Sequence, residues 1–364
     1  MGTGRWRQIA ESLRVQIEEG SWRPGDRLPS EAELAQRWGV SRMTVQRAMH
    51  ELQRLGLVHR RRRAGTVVTS PSVRRRAGCV ALLAHHSQDR LEMAYLRGIH
   101  MGLQEELHLI VCDTQGDPER EAHYLRRMAK ETDGIILFPT CDPENTPLLL
   151  RLVEARTPLV CIDRYPEGVP VDAFVTDNYQ STLEALRYVI SQGGHPLAHL
   201  SHPDLYISTV RERYQAYLDA MQEAGSTPPE RWVRWIPGVP PYYEPYLASI
   251  VADTLIALRC DTPSLRGVFC VNDRYLIATL EACERLNLSA PEDLQILSFQ
   301  DSISLLPRMA QRIHRLVQQP LELGRRAAER LRSLLEGHVS EPAVVRVPAQ
   351  FYPAVSDATS VEGG

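Results

Sequence analysis

Apolar residues recur at helical spacing from the first turn of the chain, with Trp6, Ile9, Ala10, Leu13 and Ile17 on one face and Gly20 as a stop. After the turn Trp22-Arg23-Pro24-Gly25-Asp26, the run Pro29-Ser30-Glu31-Ala32-Glu33 has the order of a capping box, with Ser30 as cap and Glu33 reaching back. Leu34, Ala35 and Trp38 supply the buried side of that second helix. Gly39-Val40-Ser41 predicts a tight turn, and Ser41 caps a third helix whose apolar stripe is Val45, Ala48, Met49, Leu52 and Leu55. Its other side presents Met43, Arg47, His50 and Arg54, with Arg42, Thr44 and Gln46 near the leading end. Two short helices, a glycine turn and a polar-faced third helix predict a helix-turn-helix. Such a third helix enters the major groove with its N-terminal residues nearest the bases. Gly56-Leu57-Val58 closes the helix, and residues His59 to Val68 read as a β-hairpin, or wing, tipped by Arg60 to Arg63.

From Gly78 onward the period changes, and short apolar runs alternate with amphipathic stretches. The strand-like runs are Cys79–Ala84, Leu107–Cys112, Gly134–Phe138, Leu159–Ile162, Leu197–Ser201, Gly267–Val271 and Leu294–Phe299. Between them lie the helical stretches Leu91–Glu106, Pro118–Lys130, Gln180–Gln192, Val210–Gly225, Tyr246–Arg259 and Arg274–Leu286. This alternation predicts an α/β fold of doubly wound parallel sheets with crossover helices. Its length exceeds what one such sheet needs, so two lobes are expected, with the ligand beyond the carboxyl ends of the strands in the cleft between them. The boundaries read as 1–69 for the winged helix-turn-helix, 70–77 for a basic linker and 78–355 for the two-lobed domain.

Charge sharpens the division. Residues 1–77 carry 16 arginines against seven carboxylates, a net of +9, while the rest carries −12, leaving −3 for the 364-residue chain. A basic head on an acidic body points to a polyanionic partner at one end only. Four arginines at a wing tip suit phosphate contacts. The polar N-terminus has no signal-peptide pattern and no apolar run reaches membrane-span length, so a cytoplasmic protein is expected. None of the seven cysteines falls in a CxxC pair, and buried reduced thiols are expected. Lys130, the only lysine, sits in a charged helical stretch and does not suit a Schiff base. No GxSxG, P-loop or HExxH occurs. His195, His199 and His202 have metal-like spacing without a second ligand cluster, so neither an enzyme, a metal nor a cofactor is expected.

Residues 24–34 and Gly39-Val40-Ser41-Arg42-Met43-Thr44-Val45-Gln46-Arg47-Ala48 resemble the DNA-binding domain of the gluconate-repressor (GntR) family over residues 4–69. That resemblance implies DNA contacts at Glu31, Arg42, Thr44, Arg47 and the wing from Arg62 through Arg63 and Gly65 to Thr66, with Arg27, Ser41 and Gln46 beside them. Gln46 stands where the family often has Arg, and Arg63-Ala64 replace small residues at the wing tip, so no operator sequence is carried over. A second resemblance covers 78–353. Asp133-Gly134-Ile135-Ile136-Leu137, Pro158 to Arg164, Val271-Asn272-Asp273 and Gln319 to Ala328 are similar to the sensor of lactose-repressor (LacI) type regulators, itself like periplasmic sugar-binding proteins of type I. From end to end the chain resembles the arabinose repressor subfamily.

The second resemblance implies effector contacts in the loop Ser87–Tyr95, with Asp89 and Tyr95, and at Asp163, Arg164, Asp177, Arg213, Asn272, Asp273, Phe299 and Gln300. Forked arginines and carboxylates bind sugar hydroxyls, and an aromatic ring covers the apolar sugar face. Taken singly, Asp163 or Asp177 reads equally well as a helix cap or turn residue. Gln300 replaces the acidic residue usual there. The expected protein is a homodimeric repressor that binds a pseudo-palindromic DNA operator and releases it on binding a small sugar. An uptake-type sugar-binding protein and a sensor for a nucleoside-like ligand are the alternatives. The basic head favours regulation.

Overall fold

The computed structural model describes residues 5–18, 21–22, 25–54, 57–61, 65–68, 78–85, 90–104, 107–226, 229–237, 244–300, 307–338 and 340–355. Gly20, Leu55, the linker 70–77 and three expected contact residues, Arg62, Arg63 and Asp89, lie outside them. The chain divides into two compact units, Met1–Ala77 and Gly78–Gly364.

The first unit holds helices α1 (Arg5–Glu18), α2 (Glu31–Trp38) and α3 (Arg42–Arg54) and the antiparallel strands β1 (Val58–Arg61) and β2 (Gly65–Val68). Its core joins Ile9, Leu13 and Ile17 of α1 to Leu34 of α2 and to Val45, Ala48, Met49 and Leu52 of α3. The capping box forms as the spacing predicts: Ser30 Oγ accepts from the Glu33 amide, and the Glu33 carboxylate accepts from the Ser30 amide at 2.7 Å. Gly39 ends α2 in the left-handed region at φ 60°, and Ser41 Oγ accepts from the Thr44 amide to start α3. The segment around Arg27 adds a third run to the wing, with amide bonds from Gly25 to Val68 and from Leu28 to Thr66.

The second unit contains two sheets. The first lobe is built on β3 (Cys79–Ala84), α4 (Arg90–Leu103), β4 (His108–Asp113), α5 (Pro118–Glu131), β5 (Gly134–Leu137), α6 (Thr146–Glu154), β6 (Leu159–Ile162) and β7 (Asp172–Thr176). The chain then enters the second lobe with α7 (Asn178–Ser191), β8 (Leu197–Ser201), α8 (Ser208–Glu223), β9 (Val233–Trp235), α9 (Glu244–Asp261) and β10 (Gly267–Cys270). That lobe continues through α10 (Asp273–Arg285), β11 (Gln295–Phe299), α11 (Pro307–Gln311) and β12 (His314–Val317). Helix α12 (Pro320–Leu335) returns to the first lobe, followed by β13 (Val344–Val347) there and β14 (Gln350–Tyr352) in the second. The sheet orders are β13-β7-β6-β5-β3-β4, all parallel, and β14-β12-β11-β10-β8-β9, parallel except for β14.

Helices cover both faces of the first sheet, so β3 is buried from Val80 to Ala84 instead of alternating with polar residues. Val80, Leu82 and Ala84 meet Tyr95, Ile99 and Leu103 of α4, while Ala81 and Leu83 meet Leu125 and Met128 of α5. Helix α12 packs against α4 without side chains between the backbones, because a Cβ at Gly98 would lie 2.1 Å from the Leu321 carbonyl oxygen.

The chain crosses between the lobes at β7–α7, β12–α12 and β13–β14, and polar bonds tie the three crossings together. Thr176 Oγ1 donates to Gln318 Oε1 at 2.7 Å, the Asp177 amide to the Val347 carbonyl at 2.8 Å, and Gln319 Nε2 to the Pro348 carbonyl at 2.8 Å. Ala349 closes the set through its amide to Ser181 Oγ. A buried polar group without a partner costs roughly 1–3 kcal/mol, so these bonds define a hinge of fixed hydrogen-bond pattern.

Candidate functional site

In the first unit the third helix has two faces. Val45, Ala48, Met49 and Leu52 are buried, and Arg42, Met43, Gln46, Arg47 and His50 are exposed. Thr44 is half-buried at the leading end, its hydroxyl 2.9 Å from that of Ser41. The Arg47 guanidinium lies over the Trp6 ring at 4.8 Å, which orients it while leaving its edge exposed. Arg27 and Gly65 are neighbours: Gly65 has φ +83°, and a Cβ there would sit 2.8 Å from Arg27 Nε. Thr66 pairs with Arg60 across the wing. Glu31, expected at DNA, forms an ion pair with Arg60 in the structure. An exposed helix bearing Arg, Gln and Arg at its leading end, flanked by a basic hairpin, suits base edges in a major groove and the phosphates beside it.

In the second unit the buried Arg213 of α8 organises the strand ends. Its Nε donates to Asn178 Oδ1 at 2.8 Å and its Nη1 to the Val271 carbonyl at 2.7 Å. The guanidinium lies 3.4 Å from the centre of the Phe299 ring. Asn178 Nδ2 in turn donates to the Thr176 carbonyl at 2.9 Å, and Thr176 bonds Gln318. A continuous polar chain therefore runs from the carboxyl end of β10, through Arg213, to two of the three hinge crossings. Asn178, Thr176 and Gln318 fall in no motif of the sequence. Their only signal is adjacency to Asp177 and to Gln319-Pro320.

The other expected effector residues separate into groups. Asp163 is buried at φ +68° on the loop after β6, where it accepts from Arg164 Nε at 2.8 Å. Burial pushes the nearby Cys141 thiol up to about 12, which keeps it neutral. Asp177 and Asn272 are helix caps: Asp177 Oδ1 accepts from the Gln180 amide, and Asn272 Oδ1 from those of Arg274 and Tyr275. Asp273 is buried in the first turn of α10. Gln300 accepts from Arg315 Nη1 at 3.2 Å and lines a cavity of about 360 Å³ with residues of both lobes.

Tyr95 does not sit where the resemblance places it. It is not on a loop, because α4 already begins at Arg90, and the spacing from Leu91 to Tyr95 to Ile99 turns it to the sheet. There it is fully buried, with its ring edge-on to Phe138 at 5.0 Å.

The three metal-spaced histidines diverge. His195 bonds Ser226, His202 lies by Asp204, and His199 stacks on Phe269 with its Nδ1 at the Phe269 carbonyl. Among the described residues no group of three His, Cys, Asp or Glu side chains is placed to hold a metal ion.

The lobes also touch directly. The Tyr165 amide donates to Ser208 Oγ at 3.0 Å, and the Tyr165 hydroxyl donates to Glu212, which takes a bidentate pair from Arg346 at 2.8 Å. Glu212 and Arg346 line a second cavity of about 590 Å³ together with Asp177, Tyr179 and Arg211. It is distinct from the one at Gln300.

A three-helix head with an exposed polar face on its third helix precedes a body of two parallel-sheet lobes hinged at three crossings. Residues 6–68 match the family model of bacterial regulatory proteins of the gntR family, and residues 186–354 that of the periplasmic binding protein-like domain. The chain thus combines a GntR-type head with a periplasmic-binding-protein-like body. It is 29% identical to the HTH-type transcriptional repressor PurR of Photobacterium profundum over 61% of this chain and 63% of that one. Hence the chain spans somewhat less than two thirds of that relative's length. The arabinose metabolism transcriptional repressor of Geobacillus stearothermophilus is 23% identical over 91% of each chain. Among solved structures, the transcriptional regulator CelR in complex with cellobiose superposes with a TM-score of 0.63 at 20% identity, covering 89% of this chain and 98% of that one. Among the described residues no helix is long and apolar enough to cross a membrane.

Proposed function

We propose that this protein is a sequence-specific DNA-binding transcriptional repressor, acting by binding and not by catalysis, whose hold on its operator is controlled by a small sugar-like effector. The observation that carries the reading is the coexistence of the exposed Arg42–Gln46–Arg47 face with Arg213 wired to the hinge. Arg42, Thr44, Gln46 and Arg47 read base edges, while Arg27, Ser41, Gly65, Thr66 and the arginines of the wing, Arg62 and Arg63 among them, hold phosphates. In the body Asp163, Arg164, Asn272, Asp273, Phe299 and Gln300 face the effector around Arg213. The protein works in the cytoplasm as a homodimer over a pseudo-palindromic operator. An effector bridging both lobes stabilises one hinge setting and disfavours the spacing that fits DNA. Such coupling is typically worth ~1–3 kcal/mol and is reciprocal. Support for a sugar comes from the arabinose repressor and CelR resemblances together with this donor set.

The test is selection of duplexes from a random pool by the full chain, followed by anisotropy titration of the selected operator. Arg42→Ala and Arg47→Ala should each weaken binding by about 1–3 kcal/mol, roughly 5- to 150-fold. Unchanged affinity in both variants overturns the assignment of α3.

A further inference from the structure

The partly buried arginines of the body are mostly matched to carboxylates: Arg164 to Asp163, Arg330 to Asp172 and Arg346 to Glu212. Arg315 is not. It stands on β12 and pairs with Tyr352 of β14, its guanidinium 5.0 Å from the centre of that ring. Its Nη1 reaches Gln300 Oε1, its Nε is buried without a hydrogen-bond partner, and no carboxylate pairs with it among the described residues. A half-buried cation held by one neutral amide and an aromatic face is incompletely compensated for the water it has lost.

The cavity beside Arg315 has the matching character. Arg90, Leu91 and Ala94 from the start of α4 line it from the first lobe, while Gln300, Arg315 and Gln318 line it from the second lobe and the hinge. No Asp or Glu lines it among the described residues. Glu92, in the first turn of α4, does not line this cavity. The N-terminal end of a 14-residue helix adds positive potential on the same side. At position 300, where the resemblance leads one to expect an acid, a glutamine removes the charge that would repel an anion. We propose that the effector carries an oxyanion, either a carboxylate or a phosphate on a polyol frame, and that Arg315 and the start of α4 hold it. Arg315 takes the oxyanion through its planar fork, Gln300 and Gln318 take neighbouring hydroxyls, and Gln318 passes occupancy to Thr176 at the hinge. This inference rests on the reading of the interlobe cleft as the effector site.

Calorimetry on the full chain decides it, with pentoses and hexoses, their sugar acids and their phosphates as matched sets. At least one acid or phosphate should bind tenfold or more tightly than its neutral parent. Whether the acid or the phosphate does so identifies the source of the oxyanion. Arg315→Gln should erase that preference while leaving the affinity for the neutral parent within threefold. If Arg315→Gln does not fold, Arg315→Lys serves, with the preference expected to shrink because the fork is lost. A neutral sugar that binds as tightly as its charged partners overturns the inference and leaves the proposed function standing. A preference that survives Arg315→Gln undiminished also overturns it. No binding by any member overturns the inference and the sugar-controlled function together.

Discussion

Arg42 and Arg47 of the head stand exposed on one helix, placed by a cap, a glycine turn and a four-residue apolar stripe that all lie within 25 residues of each other. Arg213 of the body is 6% exposed and bonds partners 35 and 58 residues away in sequence. In the proposed function the head offers side chains to a partner that brings its own shape. Its fold needs only to keep them out of the way of its core. The body, in the proposed function, encloses a small molecule, and its polar groups sit where water is scarce and are satisfied by other parts of the chain. The head's working face can therefore change residue by residue, while a change in the body's polar chain is felt as stability and as hinge setting together.

Acid offers the largest contrast. Burial drives His199 down to about 3 and His314 down to about 4, and both lie in the second lobe. His199 Nε2 has no hydrogen-bond partner among the described residues. Unfolded, each ring titrates near 6.5, so below that pH the unfolded chain takes up protons that the folded lobe refuses. The stability is intact above about pH 7 and is lost progressively as pH falls from the unfolded value toward the folded ones. At pH 5 each histidine is expected to cost about 2 kcal/mol. None of the head's described histidines is fully buried. Scanning calorimetry of the full chain at pH 7 and pH 5, with hydrogen exchange assigning the transitions, should show the second lobe weakening more than the head. Equal shifts in both units would remove this part of the contrast.

Arg213→Ala comes next. It strands the Asn178 amide oxygen and the Val271 carbonyl and uncovers Phe299, so effector affinity is expected to fall by about 3 kcal/mol, over a hundredfold, with some loss of stability. Operator affinity without effector should change less than effector affinity, because Arg213 reaches the operator only through the hinge. Calorimetry and anisotropy on the same preparation measure both. If sugar binds unaltered, the cluster at Arg213 is only a structural support.

Legibility in the sequence follows the same divide. Capping box and glycine turn are local, and each appears in the structure at the residues the pattern names, as do the exposed Arg42, Met43, Gln46, Arg47 and His50 of α3. In the body, the seven apolar strand runs and six helical stretches appear with ends shifted by up to three residues. Strands β7, β9, β12, β13 and β14 were not legible. They are three to five residues long, and His314–Val317 and Gln350–Tyr352 carry too few apolar positions to stand out near a sheet edge. The hinge is not legible either, since β12 and β14 carry few apolar positions and nothing in Asp172–Thr176 or Val344–Val347 marks a crossing between lobes. Asp177 and Asn272 show the remaining difficulty, because one residue type serves for both a cap and a ligand.

Within the head, Gly65→Ala tests how tightly the wing is held. At φ +83° an alanine is strained, and its Cβ meets Arg27. A loss of about 1–2 kcal/mol in the head's unfolding free energy is expected, with the body's transition unmoved. Thermal melts followed by hydrogen exchange separate the two.

The smallest expected effect decides what Glu31 does. Its ion pair with Arg60 bridges α2 and the wing, and Arg60 is more than half exposed, so the pair adds at most about 1 kcal/mol to stability. Glu31→Gln is therefore expected to leave the melting of the head nearly unchanged. Its effect on DNA depends on which partner Glu31 serves. If the carboxylate mainly restrains Arg60, its removal frees a cation for phosphate. Binding to every duplex then strengthens slightly, and the log–log salt slope steepens by about 0.9. If Glu31 accepts a hydrogen bond from a cytosine amino group, affinity falls only for operators carrying that base and the slope stays put. Titrations of Glu31→Gln on the selected operator and on a scrambled duplex, at three salt concentrations, separate the outcomes. The ion pair favours the uniform rise.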